Sequence, residues 1–288
     1  MSITEALKFN RPNLSASSLK TYSSVLRNLQ KNMGGEGIEW FSNNDKDILD
    51  YLKDKTPQTK KTTLSALFVL TKQQSFKDVM MTVMKSVNDT NKEQKKNVKQ
   101  QENWMSVTEI KEKYEPLLVK IKSMLSNKSI LNESTMMEFL LVSFLGGVVK
   151  DLPPRRSQDY TELKIRNYDT KKDNYYKASK FYFNVYKTAK TYGLQILDVP
   201  KELDILLKKW IKINTNDYML YSTNGNKLSS PQVTRILNKV FDKNVSSSML
   251  RHIYLTDRYK DIPALSKMKE LSSQMGHSIS TAMEYIKR

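Results

Sequence analysis

The sequence contains no cysteine, which removes disulfides, thiolate metal sites and cysteine nucleophiles from consideration together. Histidine is nearly as scarce: His252 and His277 are the whole complement, too few for a histidine-rich metal centre. No window approaches the roughly 18 to 20 uninterrupted apolar residues that a membrane-spanning helix needs. The apolar run from Phe139 to Val149 is too short and reads as a buried helix. The opening MSITEALKFNRPN has no charged segment leading into an apolar one, so no secretory leader is expected. What remains is a chain of 288 residues, 39% hydrophobic and 27% charged. That is the composition of a soluble protein with one large domain or two.

Acidic charge is also in deficit. With 48 Lys+Arg against 30 Asp+Glu the formal net charge is +18, an excess that suits a polyanionic partner, since each neutralised phosphate releases counterions. Lysine supplies most of it and asparagine is abundant, as an AT-rich genome would also give. Charge therefore points to nucleic acid but says nothing about chemistry.

Apolar spacing organises the chain. A helix capped by Ser17 runs through Leu19, Tyr22, Leu26 and Leu29 and stops at Gly34-Gly35. A second starts at Asn44 or Asp45, a third opens at Thr56-Pro57, and a fourth starts at Ser75 with Val79, Val83 and Val87 at helical spacing. These give a compact helical domain over 1–87. The polar stretch 88–103, NDTNKEQKKNVKQQEN, is expected to be a basic linker with helical character. From 104 to 288 the pattern is mixed. Helices are expected over Val107–Leu125 and Ser134–Val149, strands over Thr161–Ile165, Lys180–Tyr186 and Gln195–Val199, and helices again from Lys201 onward. The last two strands flank KTAKTYG, read as a hairpin turn. The expected fold is mainly α with a small antiparallel β-sheet.

Strand transfer on DNA without a metal needs a protein nucleophile and several cationic donors around the phosphate oxygens. A tyrosine hydroxyl can attack, and arginine guanidiniums hold phosphate in a fork. Two segments near the end of the chain carry such groups in order: SSSMLRHIYLT, with Ser248, Arg251 and His252, and QMGHSISTAMEY, with Gly276, His277 and Tyr285. This ordered set resembles the C-terminal signature of the tyrosine recombinases, the phage-type integrases: a box ending in Arg at the start of a helix, a Gly-His turn, then a tyrosine on a late helix.

The resemblance implies the remaining positions. An Arg followed three residues later by an acidic group is expected just before the sheet, and PPRRSQDYTELKI offers Arg156 with Asp159, Arg155 fitting the spacing less well. A Lys is expected in the turn between two strands, where Lys187 sits, with Lys190 as the substitute. The implied architecture is a helical core-binding domain joined to a mixed α/β catalytic domain. The implied activity is cleavage and rejoining of double-stranded DNA through a 3′-phosphotyrosyl link, by a tetramer on DNA, with no metal and no cofactor. Tyr285 would be the nucleophile, Arg156, Arg251 and His277 would hold the phosphate, and Lys187 would be the general acid. Lys20, Arg27, Lys60, Lys61 and Lys190 would face DNA.

Three features depart from the family pattern. Ser248 stands where the family prefers His, and is read either as a weak phosphate donor or as a helix N-cap. The first Arg lies in Pro-Pro-Arg-Arg where Gly-Leu-Arg is usual, and Tyr285 is followed by three residues where many relatives carry a docking segment. His252 reads as buried structure, and Trp104 as an anchor for the second domain. A type IB topoisomerase-like enzyme and an inactive DNA-binding relative are the alternatives. A soluble protein is expected, working wherever the DNA of a virus or mobile element resides.

Charge alone yields a test. The affinity for duplex DNA should fall by roughly 10³ or more between about 50 and 200 mM salt if about six phosphates are neutralised. Fluorescence anisotropy across that range measures it, and a flat profile would remove the electrostatic argument.

Overall fold

The computed structural model describes residues 1–126, 132–275 and 278–279. The chain divides into two compact units, one holding Met1–Lys95 with the described residues from Pro263 onward, the other Lys96–Ile262. Residues of the segment after Pro263, expected to continue the second domain, group with the first unit. No helix among the described residues is long and apolar enough to cross a membrane.

The first unit is helical. Helix α1 (Ile3–Asn10) starts at a capping box in which Ser2 and Glu5 satisfy each other's backbone. Helix α2 (Ala16–Met33) is capped by Ser15, two residues ahead of the expected Ser17, and ends at Gly34, whose φ of 68° is left-handed. Helices α3 (Glu39–Asn43) and α4 (Asp45–Leu52) follow. Helix α5 (Pro57–Thr71) opens at Thr56-Pro57 as the sequence predicts. Helix α6 (Gln74–Lys92) begins after Gln73 and carries its polar end through the first residues of the expected linker. Leu7, Leu26, Phe41, Ile48, Leu64, Leu67 and Phe76 form the core, each fully buried. The bundle thus has α1 and α3 beyond the expected helices. Helix α1 was legible in its Ser2-x-x-Glu5 box, whereas α3 is too short for a periodic signal.

In the second unit α7 (Val98–Asn103) forms the remainder of the linker, and α8 (Val107–Ser126) leads to α9 (Glu133–Leu145). Ten residues of α9 are buried, because it crosses the core with apolar groups on every side. A short α10 (Ser157–Thr161) precedes β1 (Leu163–Lys164), so most of the strand expected over Thr161–Ile165 is not extended. Strands β2 (Asn174–Lys177) and β3 (Lys180–Phe183) pair antiparallel, with Tyr175 opposite Tyr182. Helix α11 (Ala189–Tyr192) lies between β3 and β4 (Gln195–Asp198), which also pair antiparallel. The order is β1-β2-β3-β4, and β1 runs parallel to β2, so the small sheet is mixed at that edge.

KTAKTYG joins two antiparallel strands, as a hairpin connection should, but it is longer than a simple turn and contains α11. The tight hairpin is β2–β3, where Ala178 and Ser179 adopt φ of 49° and 62°. Without the Gly or Asn that usually marks such a turn, neither the turn nor β2 was legible.

Strand alternation sorts the aromatic residues. Phe181 and Phe183 point into the core, where their rings meet Tyr160 edge-on and Phe144 stacks on Tyr160 at 4.5 Å. On the other side Tyr168, Tyr175 and Tyr182 stack in a ladder at 4.5 Å spacing. Helices α12 (Lys201–Ile213), α13 (Ser230–Phe241) and α14 (Ser247–Arg258) complete the unit, in the region after Lys201 where helices are expected. Helix α15 (Leu265–Gln274) belongs to the first unit, where Leu265 N–H donates to Gln94 Oε1 at 3.0 Å.

The Tyr160 hydroxyl is buried with no hydrogen-bond partner among the described residues. An unmet buried hydroxyl costs about 1 to 3 kcal/mol, so Tyr160→Phe, which keeps the ring stack, should stabilise the protein by about 1 kcal/mol. Urea denaturation measures the change, and a loss of stability would mean that the hydroxyl has a partner.

Candidate active site

Three elements of the second unit bring the cationic groups together. Pro153 and Pro154 deliver the chain in extended form to Arg156, the N-cap of α10 with φ −69° and ψ 145°. One helical turn on, Asp159 is 2% exposed. Helix α14 supplies Arg251, because Met249, Leu250 and Ile253 are drawn into the core and leave Arg251 half-buried beside them. The approach of α14 is close. A Cβ on Gly147 would lie 2.5 Å from the Tyr254 ring, and Gly147 has a φ of 68°. Glycine is required there on both counts.

Electrostatics tie these residues into one site. Burial holds the Arg251 guanidinium below its ordinary value, the positive charge of Arg156 lowers it further, and Asp159 opposes. Burial raises the Asp159 carboxyl above the usual carboxylate range, against the attraction of Arg155, Arg156 and Arg251. Among the described residues Arg251 Nε is buried without a hydrogen-bond partner, as is Asp159 Oδ1. No hydrogen bond or ion pair engages the Arg156 side chain among the described residues. Two cations near enough to repel, with a buried donor left open among the described residues, suit an anion's oxygens.

Arg155 has a different environment. Its Nε donates to Asp159 Oδ2 at 2.8 Å, its Nη1 donates to Gln195 Oε1 at 2.6 Å, and its guanidinium lies 4.2 Å over Phe183 and 5.0 Å over Tyr186. Arg155 is thus engaged on every side, whereas the Arg156 side chain has no hydrogen bond or ion pair among the described residues. Sequence reasoning missed Arg155 as a structural centre, since its partners lie up to 40 residues away and leave no local signal.

The other expected site residues are placed as follows. Lys187 is exposed, next to the buried Tyr186 in the connection between β3 and β4, and Lys190 is exposed on α11. The cap of α14 is Ser246, whose hydroxyl accepts from Met249 N–H at 3.2 Å. Ser248 lies within the first turn and is exposed, so the N-cap reading of Ser248 is corrected. His252 is exposed as well, not buried as expected, because the helical period that buries Ile253 turns it outward. His277 and Tyr285 lie outside the described residues.

In the first unit Lys20 and Arg27 line one open groove of about 550 Å³ with Thr4, Ser23 and Ser24. There Arg27 Nη2 donates to Thr4 Oγ1 at 3.0 Å. Lys60 and Lys61, half-buried in the first turns of α5, do not line it. Trp104 packs on the core of the second unit as an anchor should, under Lys96 at 4.0 Å.

No family model matches this chain, and no curated protein matches it. Solved structures do match. The chain is similar to two recombinases. One is a XerA recombinase, at 15% identity and a TM-score of 0.35, covering 100% of this chain and 93% of that one. The other is a XerH site-specific recombinase bound to its difH substrate in a pre-cleavage complex, at 15% identity and a TM-score of 0.39, covering 99% and 91%.

The capping assignment can be checked directly. Ser246→Ala should cost about 1 kcal/mol of stability, whereas Ser248→Ala should change it by less than about 0.5 kcal/mol, as for an uninvolved surface position. Thermal or urea unfolding distinguishes them, and the opposite ranking would return the cap to Ser248.

Proposed function

We propose that this protein is a tyrosine-type site-specific DNA recombinase. The observation that carries the reading is the electrostatic coupling of Arg156 with the half-buried Arg251, whose Nε has no partner among the described residues. An arrangement of like charges with an open donor is unfavourable by itself and is relieved by a bound phosphate. The order of motifs in the sequence supplies the remainder of the reading.

In the proposed reaction the Tyr285 hydroxyl oxygen attacks the scissile phosphorus and its proton passes to water. The bond to the 5′-oxygen breaks, leaving a 3′-phosphotyrosyl link and a free 5′-hydroxyl. Arg156, Arg251 and His277 hold the non-bridging oxygens as charge develops on them. Lys187 gives its proton to the departing 5′-oxygen. The 5′-hydroxyl of a second DNA then attacks the phosphotyrosine and restores the tyrosine, so bond energy is conserved and no ATP is needed. Four copies acting on two DNA sites complete the exchange. Lys20 and Arg27 in the groove of the first unit, with Lys60, Lys61 and Lys190, engage the DNA backbone. Lys- and Asn-rich composition suits an element of AT-rich origin.

A nicked duplex, whose site is found by binding selection from a random library, traps the covalent product. The wild-type chain should form an adduct that peptide mapping places on Tyr285. Tyr285→Phe should bind the same duplex with unchanged affinity and form no adduct. Adduct from Tyr285→Phe in undiminished yield would assign the attack to another residue.

A further inference from the structure

We infer that Arg155 is a positioning residue that sets Lys187 against the phosphate site, an inference that rests on the recombinase reading above. The connection from residue 184 to residue 194 carries Lys187 and is closed at its base by the Arg155 side chain. Phe183 and Tyr186 on the entering side stack on the guanidinium at 4.2 and 5.0 Å. Gln195, on the leaving side, accepts from Nη1 at 2.6 Å. The same guanidinium bonds Asp159 of α10 at 2.8 Å, and Arg156 is its neighbour in the chain. Tyr186 closes the far end by donating its hydroxyl to Gly193 O at 2.7 Å. One planar cation therefore touches both ends of the Lys187 connection and the helix that carries the Arg156 site.

Lysine cannot replace it. Nε and Nη1 donate in divergent directions while the flat face lies on two rings, and an ammonium offers neither the fork nor the face. A compact charge could keep Asp159 company but would release Gln195 and the aromatic pair. The chemistry at stake is the second half of cleavage. As phosphorus bonds to the tyrosine oxygen, the P–O5′ bond breaks and the leaving oxygen takes a proton from Lys187 Nζ. If Arg155 acts through Lys187, its loss should impair proton delivery and leave the attack itself intact.

Replacing the bridging 5′-oxygen with sulfur tests this, because a thiolate leaves without taking a proton. Cleavage of the selected duplex is followed in single turnover with oxygen and with sulfur at that position, using full-length wild type, Arg155→Lys, Gln195→Ala, Lys187→Ala and Arg251→Ala. On the oxygen substrate Arg155→Lys should be slowed about a hundredfold, the loss typical of a catalytic group displaced by about 1 Å. Lys187→Ala should lose about 10² to 10⁴, as for a missing general acid. Gln195→Ala, which leaves the Arg155–Asp159 pair in place and covers the case where Arg155→Lys fails to fold, should be slowed by a smaller factor. Sulfur should return all three to near the wild-type rate and leave Arg251→Ala slow. Slow cleavage by Arg155→Lys and Gln195→Ala that sulfur does not rescue would overturn the inference, as would undiminished cleavage of the oxygen substrate by both. A wild-type chain that forms no adduct with either substrate would instead take down the recombinase reading, and this inference with it.

Discussion

The contact between Arg155 and Asp159 is the constraint on which the second unit depends. Its two side chains are 15% and 2% exposed, so both charges have left water, and neither would be tolerated there alone. Removing one partner from such a pair typically destabilises by about 3 to 5 kcal/mol, because the other is left buried and uncompensated. The guanidinium meets its remaining needs by donating to Gln195 and lying on Phe183 and Tyr186. Helix α10, the end of β3 and the start of β4 are thereby held at one point. Asn174, 1% exposed, makes a second tie between the same elements. Its amide donates to Asp159 O and to Val185 O, and its carbonyl accepts from Val185 N–H.

Beside this satisfied pair lies an unsatisfied one. Arg156 and Arg251 repel, and burial of Arg251 strengthens that repulsion by lowering the effective dielectric. Asp159 offsets part of it, but one of its oxygens is committed to Arg155 and burial itself disfavours its charge. With Arg251 Nε unpartnered among the described residues, an arrangement of this kind favours a further negative charge.

The core explains how such a site is sustained. Helix α9 is buried along most of its length, and the aromatic stack of Phe144, Tyr160, Phe181 and Phe183 fixes the sheet against it. Helix α14 is drawn in by Met249, Leu250 and Ile253, and Gly147 allows Tyr254 to approach the end of α9 more closely than any larger residue would. These contacts are ordinary packing, yet they decide which face of α14 carries Arg251 into the site.

The sequence alone determined the periodic and terminal features. Helix α5 opens at Thr56-Pro57, and helices return from Lys201 onward, as the sequence places them, because Pro at N1 and a 3.6-residue period are local signals. Other features were decided only by tertiary structure. Strand β2 and its Ala178-Ser179 turn carry no turn residue and exist because β3 pairs with them. β1 adds a parallel edge because Leu163 and Lys164 meet Asn174 and Tyr175 across the sheet. Ser246 and not Ser248 caps α14, and His252 faces outward, since the phase of α14 follows the side that the core claims. The role of Arg155 depends on Gln195, Phe183 and Tyr186, all distant in the chain. Spacing can nominate a residue, but only the three-dimensional arrangement of its partners determines whether its charge is held in the structure or left open for a ligand.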